Sequence, residues 1–147
     1  MFSPDFKEFI QSLNQQSVRY LVIGGYALAF HGHPRYTKDL DIWVDADSQN
    51  AEKLLNALAD FGFKSLGLEI SDFSEPGHVI QLGYPPQRID ILTSADGLEF
   101  EPTYAARISA TLDGIPINFI DLESLKANKK ATGRLQDLAD LEKLGDS

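Results

Sequence analysis

The fold prediction depends most on the stretch VIGGYALAFHGHPRYTKDLDIWVD, residues 22–45, which also places carboxylates within an apolar strand. An apolar run ends at two glycines, Gly24 and Gly25, and a mixed segment then leads into aspartates that alternate with large apolar side chains. Such alternation predicts a strand, and Asp39 and Asp41 stand inside it. Because an unpaired buried carboxylate is costly, these two side chains must either face water or have a positive charge beside them.

Hydrophobic periodicity and turn residues predict helices flanking a sheet whose strands are mostly joined by hairpins. The predicted helices are residues 4–15, 26–32, 48–62 with Ser48 as N-cap and Gly62 just past the end, and 121–144 with Asp121 as N-cap and a break at Gly133. The predicted strands are residues 19–25 and 40–45, the hairpin of 78–83 with 88–94, and the hairpin 108–120 around the turn Asp113-Gly114. We therefore expect an α/β or α+β domain with a mixed sheet, which lacks the regular alternation of a doubly wound fold.

The composition suits one ordinary globular domain over residues 1–147, because 43% of the chain is hydrophobic and 10% is aromatic. No linker, repeat or low-complexity tract marks a boundary. No window approaches a membrane-spanning run, and the segment MFSPDFKEFI lacks a basic region followed by an apolar core, so we expect a cytoplasmic protein without a membrane partner. The absence of cysteine rules out disulfides and thiolate metal ligands.

The formal net charge of −9 argues against binding to extended DNA, because neutralisation of phosphates by a basic surface supplies most of the affinity in such complexes. Basic residues are concentrated only in LKANKKATGR, residues 125–134. Any contact with a nucleic acid would therefore need this patch or bound cations.

The aspartates of the acidic strand share one face. Residues i and i+2 of a strand point the same way, so Asp39, Asp41 and Trp43 lie together while Leu40 and Ile42 form the core face. Two carboxylates at this spacing can bracket divalent cations. For a lone Asp-x-Asp, which is a common tripeptide, the favoured interpretation would be the solvated side of a half-buried strand.

Two further features favour a catalytic site over the solvated face of a strand. The tripeptide RID places Asp90 between two isoleucines, with the same polar-out pattern on another strand, so it can bring a third carboxylate to this face. Gly24 and Gly25 end a strand and open a helix, where free backbone N–H groups and the helix dipole favour a phosphate. A phosphate cradle followed by a carboxylate cluster is what metal-assisted phosphoryl transfer requires.

These motifs resemble the signature of the nucleotidyltransferase superfamily, in which Gly-Gly or Gly-Ser is followed by a spacer and Asp-x-Asp. The segments GGYA, R-x-T-x-D-L-D, VIQLGYPPQRIDILTSADG and NKKATGRLQDLADLEKL are similar to short bacterial proteins grouped with the AbiEii-type abortive-infection nucleotidyltransferase toxins. The resemblance runs from Tyr20 to Leu144. It implies a nucleotidyltransferase-like fold.

The resemblance also implies roles for individual residues. Asp39, Asp41 and Asp90 match the carboxylates that bind Mg²⁺, or Mn²⁺ in its place, with Asp90 also preparing the acceptor hydroxyl. Gly24 and Gly25 match the loop that holds the nucleotide's phosphates. Many members have serine where this chain has Gly25, so one hydroxyl contact to phosphate is missing and backbone donors must take its place.

Several cations and aromatic side chains have two interpretations. The nucleotide-binding interpretation covers four residues: Arg35, Thr37, Lys38 and Lys129. For the lysines and arginines, including Arg134, the alternative is an ordinary loop cation, a solvated helix face, or an ion pair such as Arg134 with Asp137. Asp137 and Asp140 are expected to form structural ion pairs or caps. Trp43 can stack on a base or pack against a neighbouring helix, and His31 and His33 fit loop residues better than metal ligands.

The resulting hypothesis is the transfer of a nucleoside monophosphate from an NTP to a hydroxyl acceptor, which is tRNA, protein or a small molecule, in a toxin–antitoxin or phage-defence setting with a cognate antitoxin or toxin. One rival is a non-catalytic antitoxin-like or regulatory module, and another is a nucleotide- or RNA-binding module without turnover. An antibiotic nucleotidyltransferase is less favoured, because Tyr26 and Thr37 stand where those enzymes generally have tryptophan and histidine.

Overall fold

The computed structural model describes residues 3–33, 39–63, 66–83 and 88–145. In this part of the chain one mixed sheet has the strand order β3-β4-β2-β1-β6-β5. The strands are β1 Tyr20–Ile23, β2 Asp39–Val44, β3 Val79–Leu82, β4 Arg88–Leu92, β5 Ile108–Leu112 and β6 Ile115–Phe119. The helices are α1 Pro4–Gln15, α2 Gly24–Phe30, α3 Ser48–Phe61, α4 Phe100–Ala105, α5 Leu122–Thr132 and α6 Leu135–Lys143, with a 3₁₀ turn at Ile70–Asp72. The predicted fold class, a mixed sheet with flanking helices, is confirmed.

The hydrophobic core lies between the sheet and helices α1 and α3. The buried residues of α1 recur at helical spacing, and Leu40 and Ile42 of β2 are fully buried on the opposite face from the aspartates. The Tyr20 hydroxyl donates to Asn14 Oδ1 over 3.0 Å, which fixes α1 on this face of the sheet. One face of the sheet is therefore sealed, and the aspartates lie on the other.

Local signals explain where α3 begins and ends. The predicted N-cap Ser48 is wrong, because Asp47 has the extended backbone of a cap and its carboxylate accepts from the N–H groups of Gln49 and Asn50. Ser48 is already the first helical residue. The predicted end is confirmed, since Gly62 takes a left-handed φ of 108° that favours glycine.

Both predicted hairpins are present. Strands β5 and β6 pair antiparallel across Asp113 and Gly114, whose φ values of 52° and 80° are those that a tight two-residue turn requires. Strand β3 pairs antiparallel with β4, and β4 in turn pairs parallel with β2. This parallel pairing of segments far apart in sequence is what assembles the acidic face.

The tail forms two helices, as predicted. The Asp121 carboxylate caps α5 by accepting from the Ser124 N–H, and Gly133 ends α5 with a left-handed φ of 65°. Helix α4 and the 3₁₀ turn were not predicted. Among the residues that the structure describes, no helix combines the length and the apolar character that crossing a membrane requires.

Candidate active site

Strand register brings the three predicted aspartates to one face of the sheet. In the parallel pair of β2 and β4, Asp41 lies directly opposite Asp90, and Asp39 lies opposite Arg88. Residues that face each other in a ladder point to the same side, so all four side chains share a surface. On the other flank of β2, Ile23 of β1 lies opposite Asp41, which places the following Gly24 beside the acidic residues.

Arg88 supplies the positive charge that the acidic strand was expected to need. Its Nη2 donates to Asp39 Oδ2 at 2.7 Å, and its Nε donates to Asp90 Oδ1 at 3.0 Å. A second bond from Nη2 to Asp90 Oδ2, at 3.2 Å, completes a fork on that carboxylate. No role was predicted for Arg88 from the sequence. Its signal was present in the tripeptide RID, where Arg88 and Asp90 have the spacing of one strand face.

Asp41 differs from its two neighbours because no described residue donates a hydrogen bond to its carboxylate. Desolvation raises its pKa to about 7, and the negative charges of Asp90 and Asp39 add to the effect, which outweighs the opposing charges of Arg88 and Arg134. Like charges held close together disfavour the ionised form. The acidic face therefore carries more negative charge than Arg88 neutralises.

Gly24 makes room for this carboxylate. Its φ is 68°, a left-handed conformation that glycine adopts without strain, and a Cβ at this position would overlap the Asp41 carboxylate. The predicted change from strand to helix at the two glycines is confirmed, but β1 ends at Ile23 and α2 begins at Gly24, two residues before the predicted start of the helix. Gly25 is buried as the second residue of that helix.

Two carboxylates of the acidic face, those of Asp41 and Asp90, lie at the floor of a cleft of about 500 Å³, whereas Asp39 is not among the residues that line it. Asp41, Asp90 and Gly24 line it from the sheet, and α5, the α5–α6 connection and α6 line the opposite wall. The residues on that wall are Asn128, Lys129, Thr132, Arg134 and Asp137. The cleft is thus acidic at its floor, with two cations across from it.

The cations of the wall are already paired. Lys129 Nζ lies 2.8 Å from Asp140 Oδ2 and 3.6 Å from Asp137 Oδ1, and all three side chains are buried. Arg134 Nε donates to Asp137 Oδ2 at 2.8 Å, but 76% of the Arg134 side chain remains exposed. Burial alone would raise the pKa of Asp137, but the hydrogen bond and charge of Arg134 lower it. The expectation that Asp137 and Asp140 form structural ion pairs is confirmed.

Of the other predicted residues, three lie outside the described residues: Arg35, Thr37 and Lys38. Trp43 is buried and meets Phe100 of α4 edge to face, with ring centroids 5.2 Å apart, which matches the packing alternative and not the base-stacking one. His31 Nε2 lies 2.8 Å from the Ile120 carbonyl oxygen, so this histidine joins α2 to the end of β6.

The donor set of the acidic face suits a hard divalent cation, since Mg²⁺ and Mn²⁺ prefer carboxylate oxygens. The room at Gly24 and the excess negative charge at Asp41 are consistent with such an ion. As the side chains stand, however, Arg88 binds Asp39 and Asp90, and no three carboxylates or imidazoles converge on one point within the described ranges.

Comparison with solved structures supports the fold. A candidate nucleotidyltransferase from Thermotoga maritima superposes with a TM-score of 0.66 at 18% identity, covering 98% of this chain and 94% of the other. An antigenic nucleotidyltransferase-like protein from Paracoccidioides brasiliensis gives a TM-score of 0.54 at 20% identity, covering 96% of this chain and 74% of the other. No curated protein sequence matches the chain.

The sequence itself matches a defined family. Residues 5–145 match the family described as "Nucleotidyltransferase of unknown function (DUF6036)". The match covers nearly the whole chain and includes the acidic strand, the RID segment and both tail helices. The resemblance to AbiEii-type toxins stays a prediction. The resemblance to nucleotidyltransferases is confirmed, and the chain belongs to this nucleotidyltransferase family of unknown function.

Proposed function

We propose that the protein transfers a nucleoside monophosphate from an NTP to a hydroxyl acceptor. The observation that carries this proposal is the parallel register that sets Asp41 opposite Asp90, beside Gly24, at the floor of a cleft. Phosphoryl transfer needs little covalent chemistry from a protein and depends on positioning and charge neutralisation. A cleft with carboxylates on one wall and cations on the other meets both needs.

Asp39, Asp41 and Asp90 would hold Mg²⁺, with Mn²⁺ as an alternative. When bound, the metal would neutralise charge on the nucleotide's phosphates and on the leaving pyrophosphate. Asp90 would orient the acceptor hydroxyl, and its position beside Asp41 in the lining of the cleft supports this role. Asp41 accepts no hydrogen bond from a described residue, so its oxygens are available as ligands.

Phosphate binding would fall to Gly24, Gly25 and the cations of the facing wall. Arg134 suits this task better than Lys129, because most of its side chain is exposed at the cleft and its planar guanidinium matches phosphate geometry. Lys129 would first have to leave Asp140. The predicted contributions of Arg35, Thr37 and Lys38 remain part of the proposal.

The acceptor and the biological setting are proposed from the resemblance to AbiEii-like toxins. In that setting the acceptor would be tRNA or a protein, and a cognate antitoxin would regulate the enzyme. The net charge of −9 disfavours extended nucleic acids, so a tRNA acceptor would be bound locally, near its reacting end. A small-molecule acceptor is the remaining enzymatic alternative.

A second candidate function is a non-catalytic binding module that keeps the fold. The observation in its favour is Arg88, whose guanidinium already bridges Asp39 and Asp90. If that arrangement is permanent, the cluster needs no metal.

The test is incubation of the protein with each radiolabelled NTP, Mg²⁺ and a cell extract, followed by identification of the labelled species. We expect one NTP to label one class of acceptor, and Asp41→Asn to abolish the labelling. Asp5→Asn, a change of the same kind on the exposed first turn of α1, is the matched control and should retain it. Absence of labelling with every NTP would favour the binding module.

A further inference from the structure

We propose that Arg88 is an internal counter-ion that holds Asp39 and Asp90 while the protein is free of metal and leaves them when a divalent cation binds. This inference rests on the proposed function, because it assumes that the three aspartates form a metal site. It adds a residue that the family motifs do not assign, and it explains how the clustered acids fold without metal.

Strand geometry places Arg88 in this position. It lies opposite Asp39 in the parallel ladder and two residues before Asp90 on the same face. Its fork reaches across the strand gap to Asp39 and along its own strand to Asp90, with donor–acceptor distances of 2.7 to 3.2 Å. Charge-assisted bonds of this length are strong, so Arg88 orders both carboxylates.

The same geometry opposes a bound metal. A divalent cation would lie about 2.0–2.1 Å from the carboxylate oxygens that hold it, if it is Mg²⁺. Asp39 Oδ2 and both carboxylate oxygens of Asp90 already accept from Arg88. A guanidinium and a divalent cation bound to the same two side chains would also repel each other across a few ångströms. Arg88 and the metal therefore compete for these oxygens.

Arg88 is free to move aside. Within the described part of the chain its hydrogen bonds go to Asp39 and Asp90 alone. Its side chain is 31% exposed, so a change of rotamer takes the guanidinium into water without opening the core. Loss of these bonds is then the main cost of release, and a divalent cation on the same oxygens would offset it.

The experiment is a calorimetric titration of Mn²⁺ into the protein and two single variants. Removing Arg88 removes the competitor, so we expect Arg88→Ala to bind Mn²⁺ about tenfold more tightly, which corresponds to about 1.4 kcal/mol. Arg107→Ala is the control for net charge. Arg107 lies next to the edge strand β5, three strands from β2, and donates to the Tyr104 carbonyl oxygen. We expect it to change Mn²⁺ affinity less than about twofold.

A second readout separates a counter-ion from a general structural role. Arg88→Ala should lower the melting temperature of the metal-free protein and have little effect at saturating Mn²⁺, because the metal then neutralises the carboxylates in parent and variant alike. An arginine with a purely structural role would destabilise both forms equally. Arg88→Gln, which keeps an amide donor, guards against a poorly folded alanine variant and should give intermediate values in both measurements.

Three outcomes of the Mn²⁺ titration and the melting measurements bear on the inference. Tighter Mn²⁺ binding by Arg88→Ala, with destabilisation confined to the metal-free form, supports the inference. If the parent binds Mn²⁺ and Arg88→Ala binds it equally or more weakly, the inference is overturned while the proposed metal site stands. If neither the parent nor any Arg88 variant binds Mn²⁺, both are overturned, and the bridge from Arg88 is a permanent replacement for the metal.

Discussion

The chain builds two clusters of carboxylates and cations, one on the sheet and one between α5 and α6, and they differ in charge balance. Between the helices, Asp137 and Asp140 face Lys129 and Arg134, and each carboxylate has a cation within 2.8 Å. On the sheet, Arg88 is the described cation that pairs with Asp39 and Asp90, and Asp41 accepts no hydrogen bond from a described residue.

The pKa values record the difference. The pKa of Asp137 is lowered in spite of burial, because the bond and charge of Arg134 favour its ionised form. Burial and the neighbouring carboxylates raise the pKa of Asp41 to about 7. A balanced cluster needs nothing from solution, whereas an unbalanced one attracts a cation. The buried ion pairs of Lys129, Asp137 and Asp140 are therefore best explained as structure, whereas the sheet cluster and the exposed Arg134 belong to the proposed site.

The largest effect is expected for Asp41→Asn in the sheet cluster. If the sheet cluster serves chemistry, transfer should fall about a thousandfold or more, because a metal ligand at the reacting phosphate is lost. The metal-free protein should keep or raise its melting temperature, since one of three repelling charges is gone. A transfer assay measures the loss of activity, and thermal melting in the presence of a chelator measures the stability of the metal-free protein. Clear destabilisation of the metal-free variant would show that Asp41 is structural.

The helix cluster should respond in the opposite way. Asp140→Ala leaves the Lys129 ammonium buried without its closest partner, so we expect a loss of about 3–5 kcal/mol in the free energy of unfolding. Urea titration measures it. The double variant Lys129→Met with Asp140→Leu removes both charges and should recover most of this loss. A cost below about 1 kcal/mol for Asp140→Ala would mean that the buried pair is not what joins α5 to α6.

Local patterns were enough to predict most of the fold and the composition of the sheet cluster. The Asp113-Gly114 turn, the Asp121 cap and the alternation around Asp41 each report on backbone within a few residues, where sequence is informative. Helix α4 was missed because it is only six residues long and contains Pro102, so it offers little periodicity.

The arrangement of the charges could not be predicted in the same way. Whether Arg88 reaches Asp39 depends on the parallel register of β2 and β4. The two residues are 49 positions apart in the sequence, so their contact is long-range. The burial of Lys129 depends on the angle at which α6 folds back on α5. Both are facts of tertiary packing, which periodicity does not encode.

A smaller effect is expected in the pH dependence of stability. The pKa of Asp41 is raised from 3.8 to about 7. Between these values the unfolded chain releases the proton while the folded protein keeps it, so the free energy of unfolding falls as pH rises through this window. The metal-free parent should lose roughly 2 kcal/mol relative to Asp41→Asn between pH 4 and pH 8. Urea titrations of both proteins across this range measure the difference. Parallel curves would mean that Asp41 ionises as it does in the unfolded chain.

The smallest expected effect tests whether the sheet cluster is built around the Asp41 carboxylate. Gly24 and Gly67 have nearly equal φ values, 68° and 69°, but only at Gly24 would a Cβ meet a neighbour, the Asp41 carboxylate. Each alanine substitution should cost about 1–2 kcal/mol for the left-handed backbone. Gly24→Ala should cost about 1 kcal/mol more, because Asp41 must turn aside or its neighbours must shift.

Measured Mn²⁺ affinity extends the comparison of Gly24→Ala with Gly67→Ala from the backbone to the proposed metal site. A displaced Asp41 no longer meets Asp90 in the cleft, so Gly24→Ala should weaken Mn²⁺ binding while Gly67→Ala leaves it unchanged. Urea titration gives the stability loss of each variant, and calorimetry gives its Mn²⁺ affinity. Because Gly67→Ala bears the same backbone strain, any difference between the variants comes from the contact with Asp41. Equal stability losses with unchanged Mn²⁺ affinity would show that the Asp41 carboxylate is not held against Gly24. The contrast between the sheet cluster, as a site, and the ion pairs between α5 and α6 would then have no structural basis.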